Sequence, residues 1–166
     1  MNNILILGSS EIIDKNLKLF LEKKNFNVIE FDIKNGDDFD LRTDKGKNSL
    51  KKIFSKIDYT FFLAFDVGGS KYLSNLNQTE YIDNNLNIMK NVFNIIKDKP
   101  FIFASSTMEN MYNIYGTLKR LGEHYTNIYG QINVRFWNIY GNEPYSEKSH
   151  VITDFIYKAS NFKKIN

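Results

Sequence analysis

The 166-residue chain reads as a doubly wound α/β domain, a parallel sheet with helices on both faces. Three observations predict it. Apolar runs of strand length recur at Asn3–Leu7, Asn27–Phe31, Tyr59–Ala64, Phe101–Ser105 and Ile132–Trp137. Segments with helical spacing of apolar residues separate most of them. The first two runs enclose a glycine-bearing turn and a helix, and the second ends on an acid, Asp32. The length suits one domain over 1–166 with a sizeable core.

Composition narrows the function classes. Hydrophobic residues at 42% and charged residues at 25% are globular values. A net charge of +3 and scattered lysines describe a solvated surface, so no nucleic-acid partner is expected. The chain has no cysteine, which removes disulfides, thiolate metal sites and thiol nucleophiles and fits a cytoplasmic protein. With two histidines, no metal site is expected. The run Ile4–Leu7 has the length of a strand and not of a signal segment. No run approaches the ~20 apolar residues of a membrane helix, so no membrane partner is expected.

In chain order, Asn3–Leu7 is a buried-type strand and Gly8-Ser9-Ser10 a turn. Ile12 to Lys24 is an amphipathic helix with Ile13, Leu17, Phe20 and Leu21 inward. Asn27–Phe31 is the next strand. A carboxylate at its end, Asp32, stands where a dinucleotide-binding half holds the adenosine ribose and repels a 2′-phosphate; the bland alternative is a surface Asp after a strand. Gly36 to Leu41 is an acidic loop, and Ser49–Ile57 is expected to be helical. Tyr59–Ala64 is a central strand, and Gly68-Gly69-Ser70 a flexible loop after it. Glu80 to Lys97 is a strong helix with two apolar stripes. Ile82, Leu86, Met89, Phe93 and Ile96 form one; Tyr81, Ile88, Val92 and Ile95 form the other. One stripe packs on the sheet, and the second needs a cover. His150-Val151-Ile152 opens a last helix that fades at Lys163.

The chemistry concentrates between Phe101 and Gly141. Tyr115 and Lys119 are four apart, so a helix puts them on one face about one turn apart. A hydroxyl-rich strand end, Ser105-Ser106-Thr107, can sit opposite them. A free Tyr titrates near ~10. A nearby ammonium favours the phenolate and brings the phenol toward the range where a general acid/base is useful.

These residues resemble the extended short-chain dehydrogenase/reductases, the NAD-dependent epimerase/dehydratase family acting on nucleotide sugars. The family's YGxSKxxGE is similar to Tyr115-Gly116-Thr117-Leu118-Lys119-Arg120-Leu121-Gly122-Glu123, and its RxxNxYG to Arg135-Phe136-Trp137-Asn138-Ile139-Tyr140-Gly141. The resemblance implies an NAD-binding Rossmann fold and NAD as cofactor. It implies Tyr115 and Lys119 as catalytic and cofactor-binding residues, with Ser106 or Thr107 as the catalytic hydroxyl. Gly8, Ser9, Ser10, Ile12, Asp32, Asp40, Leu41, Leu63, Ala64 and Asn85 would line the cofactor, and Asn138 would meet the diphosphate of the substrate. It also implies a nucleotide-sugar substrate and a homodimer through helices 80–97 and 114–129. Met108 stands where dehydratases carry an acid, and some 3,5-epimerases use a cysteine that this chain lacks. That leaves chemistry of the 4-epimerase or 4-reductase/dehydrogenase type.

The chain departs from the family in four places, one of them the short spacing between Ser106 and Tyr115, where relatives have a longer excursion. Of the GxxGxxG fingerprint only Gly8 stands, with Glu11 and Asp14 at the other glycine positions. Phe62 and Phe65 replace the His and the second Ala of an H-L-A-A element, and Phe65 would crowd the cofactor it lines. The resemblance covers about residues 3 to 160 and only the front of a typical relative, which implies that the C-terminal substrate domain is largely absent. A fragment, a chain completed by a partner, and a non-catalytic Rossmann-like module that binds or regulates a partner all remain open.

Overall fold

The computed structural model describes residues 2–8, 12–67, 77–110, 113–137, 139–141, 145–146, 149 and 151–162. Among these, five parallel strands form one sheet: β1 (Asn3–Leu7), β2 (Asn27–Phe31), β3 (Tyr59–Phe62), β4 (Phe101–Ser106) and β5 (Ile132–Phe136). Their order is β2-β1-β3-β4-β5. The helices are α1 (Ile12–Lys23), α2 (Asp44–Phe54), α3 (Gln78–Ile96), α4 (Ile114–Ile128) and α5 (Val151–Phe162). The doubly wound α/β architecture is therefore the one the apolar runs predict. The order reverses direction between β1 and β3, which opens a crevice beyond their C-terminal ends.

Strand alternation explains why both faces are covered. Leu5 and Leu7 of β1 join Phe31, Phe62, Phe101 and Phe103 on the face under α2, α3 and α4. Ile4 and Ile6 point the other way, where Val28, Phe61 and Leu63 pack with Leu17 and Leu21 of α1. The first face holds the larger core. Phe93 of α3 sits in it with Phe62, Phe103 and Phe101 at centroid distances of 5.1, 5.7 and 5.8 Å. Full burial of one such side chain is worth roughly 1.5–3 kcal/mol.

Polar side chains set where three helices start. Thr43 caps α2 by accepting from the Gly46 amide, Asn77 caps α3 through Glu80, and Asn113 caps α4 through Gly116. The α2 helix starts at Asp44, ahead of the expected Ser49. Its first turns, Asp44-Lys45-Gly46-Lys47, carry no apolar periodicity, so only the Thr43 cap marks them.

Two expectations about helix faces change. Phe20 is 57% exposed, not inward. The buried face of α1 is centred on Asp14 (1%) and Leu21 (6%), and Phe20 lies about 100° round from Leu21. Leu17 and Leu21 pack on Ile4 and Ile6, and the same helix face takes in Asp14 and leaves Phe20 outside. On α3, Tyr81, Ile88, Val92 and Ile95 are buried together with Met89, Phe93 and Ile96. Both stripes thus pack largely within the chain, and Leu86, 37% exposed, is what remains outside.

The α5 helix has no buried residue, and Val151, Phe155 and Ile156 are exposed on it. Tyr145 stacks on its Tyr157 at 3.7 Å. Among the described residues, no helix is long and apolar enough to cross a membrane.

Candidate active site

Among the described residues, Gly8, Asp32, Leu63, Ala64 and Ser106 stand at the C-terminal ends of the strands. Gly8 follows β1 with φ +81, and its amide donates to the Phe31 carbonyl at 2.9 Å. A Cβ on Gly8 would stand 2.6 Å from the Cα and N of Ala64. Only glycine allows the first turn to lie this close to the backbone after β3. Leu63 packs with the α1 side of the sheet, and Ala64 packs against the larger core. Ser9, Ser10, Glu11 and Asn138 lie outside the described residues, as does the side chain of Ile12.

Asp32 is 7% exposed at the end of β2, and its Oδ1 accepts from the Lys34 amide at 2.8 Å, capping a short helical turn. Asp40 receives a two-pronged bond from Arg42, Nε to Oδ1 and Nη2 to Oδ2, both 2.8 Å. The Arg42 hydrogen bonds hold the Asp40 carboxyl below the usual carboxylate range and raise the guanidinium in turn. Leu41 is buried at 5%, and its carbonyl accepts from Nδ2 of Asn91 at 2.9 Å. Asp40 and Leu41 are thus anchored in a turn that closes against α3.

Asn85 is fully buried. Its Oδ1 accepts from the Asp66 amide at 2.8 Å, and its Nδ2 donates to the carbonyls of Asp66 (3.2 Å) and Tyr81 (3.0 Å). The side chain is used in clamping the segment after β3, so it acts on the crevice through that backbone.

The α4 helix carries Tyr115 and Lys119. Tyr115 is half-buried in its first turn, next to the Asn113 cap. Lys119 is 4% exposed, and its Nζ donates to the Ala104 carbonyl of β4 at 2.8 Å. The ammonium lies 5.7 Å from the Tyr115 ring centroid, 5.2 Å from Phe103 and 3.8 Å from Phe65. Phe65 also meets Tyr115 edge-on at 6.0 Å. Ser106 ends β4, and its hydroxyl accepts from the Met108 amide at 3.2 Å. Thr107 opens a one-turn helix, Thr107–Asn110, that packs against α4. Tyr115, Lys119 and the Ser106–Thr107 turn therefore share one region, with Asp32 and Asp40 on the β2 side of the crevice.

Sequence reasoning assigned no role to Gly122, Glu123 and Arg135, although all three stand in the quoted motifs. They set the seat of α4. A Cβ on Gly122 would overlap the ring of Phe103, so glycine lets α4 lie directly on β4. Glu123 is 6% exposed and receives Nε and Nη2 of Arg135 from β5 at 2.8 and 2.7 Å. The Arg135 hydrogen bonds are the main cause that depresses the Glu123 carboxyl. Among the described residues, no group of three or more His, Cys, Asp or Glu is placed to hold a metal ion.

The family model described as the NAD dependent epimerase/dehydratase family matches residues 4–166. Curated protein sequences contain no match to the chain. Solved structures share its fold. A GDP-L-fucose synthetase from Naegleria fowleri bound to NADP is similar with a TM-score of 0.75 at 19% identity, over 96% of this chain and 61% of that one. The Bordetella bronchiseptica enzyme WbmF in complex with NAD+ gives 0.74 at 20%, over 95% and 59%. A UDP-glucose 4-epimerase from Thermus thermophilus in complex with NAD gives 0.70 at 16%, over 88% and 59%. The chain spans about three fifths of the length of each.

Proposed function

Since the chain belongs to the NAD dependent epimerase/dehydratase family, we propose that it serves NAD-dependent hydride transfer at a carbinol of a nucleotide sugar, of the 4-epimerase or 4-reductase/dehydrogenase type. The observation that supports this reading best is the shared face of Tyr115 and Lys119, set against the end of β4 by the Lys119–Ala104 bond.

The residues of the crevice fit a dinucleotide in their chemistry. Gly8 keeps the first turn low at the point where strand order reverses, and Asp32 brings a carboxylate to the end of β2. Asp40 and Leu41 border the adenosine side, with Leu63 and Ala64 between the two ends. Ser9, Ser10 and Ile12 belong to the turn that would meet the pyrophosphate, and Asn138 to the substrate diphosphate. NAD, when bound, supplies the hydride acceptor. Tyr115 takes the proton of the sugar hydroxyl at its phenol oxygen. Lys119 favours the phenolate by its charge and offers an ammonium to the ribose. Ser106 or Thr107 holds the reacting oxygen. A cysteine-free chain is in keeping with a cytoplasmic setting.

A second reading, a non-catalytic Rossmann-like module, is favoured by Asp14. This acid is 1% exposed in the first turn of α1. An acid side chain buried at that point fills the place where the family keeps a glycine, beside the helix start that would otherwise draw a pyrophosphate.

Thermal melting with and without NAD separates the two. Saturation at ~100 times Kd adds roughly 2.7 kcal/mol, or about 5–10 °C for a domain of this size. A cooperative melt with no shift at millimolar NAD removes the catalytic reading. If the shift is present, Tyr115→Phe is expected to abolish turnover by the full-length protein and to leave the shift intact. Turnover at the wild-type rate in that variant refutes Tyr115 as the acid/base.

A further inference from the structure

Lys119 does not face an open crevice. Its Nζ lies 3.8 Å from the centroid of Phe65, a cation–π contact. A hydroxyl bound to an ammonium needs a heavy-atom distance near ~2.8 Å on an open side. No such group fits between the ammonium and a ring already in contact with it. Phe103 and the Ala104 carbonyl take up the β4 side, and Tyr115 stands beside them.

The backbone of Phe65 is held on both sides. Before it, Ala64 lies against Gly8 so closely that a Cβ on Gly8 would stand 2.6 Å away. After it, Asp66 exchanges two hydrogen bonds with the buried Asn85. The ring is therefore positioned by fixed neighbours, and uncovering Lys119 takes rotation of the side chain about its own rotamers.

We infer that Phe65 is a cover on the Lys119 end of the crevice, a positioning residue whose ring must leave before the ammonium can reach a ligand hydroxyl. This inference rests on the reading of the Tyr115–Lys119 face as a dinucleotide site. A ligand that needs the uncovered state binds with an affinity reduced by the fraction of molecules in that state. Phe65 thereby sets how readily the chain takes up a dinucleotide, independently of the chemistry at Tyr115.

The test is pulsed acetylation of lysines with limiting acetic anhydride, read by mass spectrometry, on the wild-type chain, Phe65→Ala and Phe65→Leu. Exposed Lys51 and Lys97 are internal controls. Lys119 is expected to react about tenfold faster in Phe65→Ala, as loss of a desolvated cation–π contact implies, with the controls unchanged. Phe65→Leu, which keeps apolar volume without a π face, is expected to give a smaller rise, and it decides the matter if Phe65→Ala does not melt cooperatively. Lys119 reacting no faster than wild type in the folded variants overturns the cover. Repeating the pulse on the faster-reacting variant with excess NAD separates the two readings. Protection of Lys119 supports both, whereas faster reaction without protection leaves the cover standing and removes the dinucleotide reading.

Discussion

At the scale of the residue, the pair Glu123–Arg135 carries a pH dependence. Glu123 is buried, and the guanidinium bonds hold its folded carboxyl below the usual range. A depressed folded value means that the pair contributes stability above the unfolded value near ~4.3, and that this is lost as pH falls through the folded value. Glu123→Gln is expected to cost about 1–2 kcal/mol at pH 7, since hydrogen bonds to charged groups are worth ~1.5–3 and the Arg135 side chain is half exposed. The variant should also lose less stability than the wild type between pH 5 and pH 3 (roughly, from those values). Urea unfolding at both pH values checks this, and equal stability at pH 7 would sink it. Asp40 follows the same sign with Arg42, at a more exposed site.

At the scale of the element, the seating of α4 on β4 decides where Tyr115 and Lys119 stand. Gly122→Ala tests it because two effects oppose. Alanine in a helix interior gains about 1 kcal/mol over glycine. Against that, the new methyl overlaps the ring of Phe103, which is fully buried among other aromatic rings and has no room to yield. Overpacking of this kind costs typically ~1–3 kcal/mol. Net destabilisation is expected in urea unfolding, and a more stable variant would show that α4 is not seated on Phe103. The Asn85 clamp is the corresponding device for the segment after β3, and it ties α3 to the same crevice.

At the scale of the whole molecule, we propose that the outer faces of α3 and α4 pair with a second copy of the chain. An open apolar hollow lies between them, lined by Leu86, Met89, Lys90, Asn94, Leu121 and Tyr125. Ile128 at the end of α4 is 76% exposed. Two such faces related by a two-fold axis bury Leu86, Tyr125 and Ile128 against each other, which is the homodimer that the family resemblance implies. Sedimentation of the wild type is expected at twice the 19.5 kDa chain mass, and of Leu86→Asp at the chain mass. A monomeric wild type at micromolar concentration rules the pairing out. Leu86 is partly exposed, so the substitution leaves the core untouched.

The sequence by itself determined what local pattern can carry. Strand length, alternation and helix period follow from neighbours a few residues apart, so all five strands and the doubly wound plan were legible. The Tyr115–Lys119 face was legible for the same reason, because a four-residue spacing needs only a helix. Tertiary structure decided the rest. Asp14 lies with Leu21 on the buried face of α1 while Phe20 stays outside; α3 buries most of both its stripes within the chain and leaves Leu86 out; Asn85 spends its amide on the backbone after β3. The ring of Phe65 lies on an ammonium from a helix far along the chain, and Arg135 reaches Glu123 across a strand–helix contact. Each of these joins groups distant in sequence, and the free energy of such a contact depends on which surfaces the whole fold brings together, a quantity no local window of residues contains.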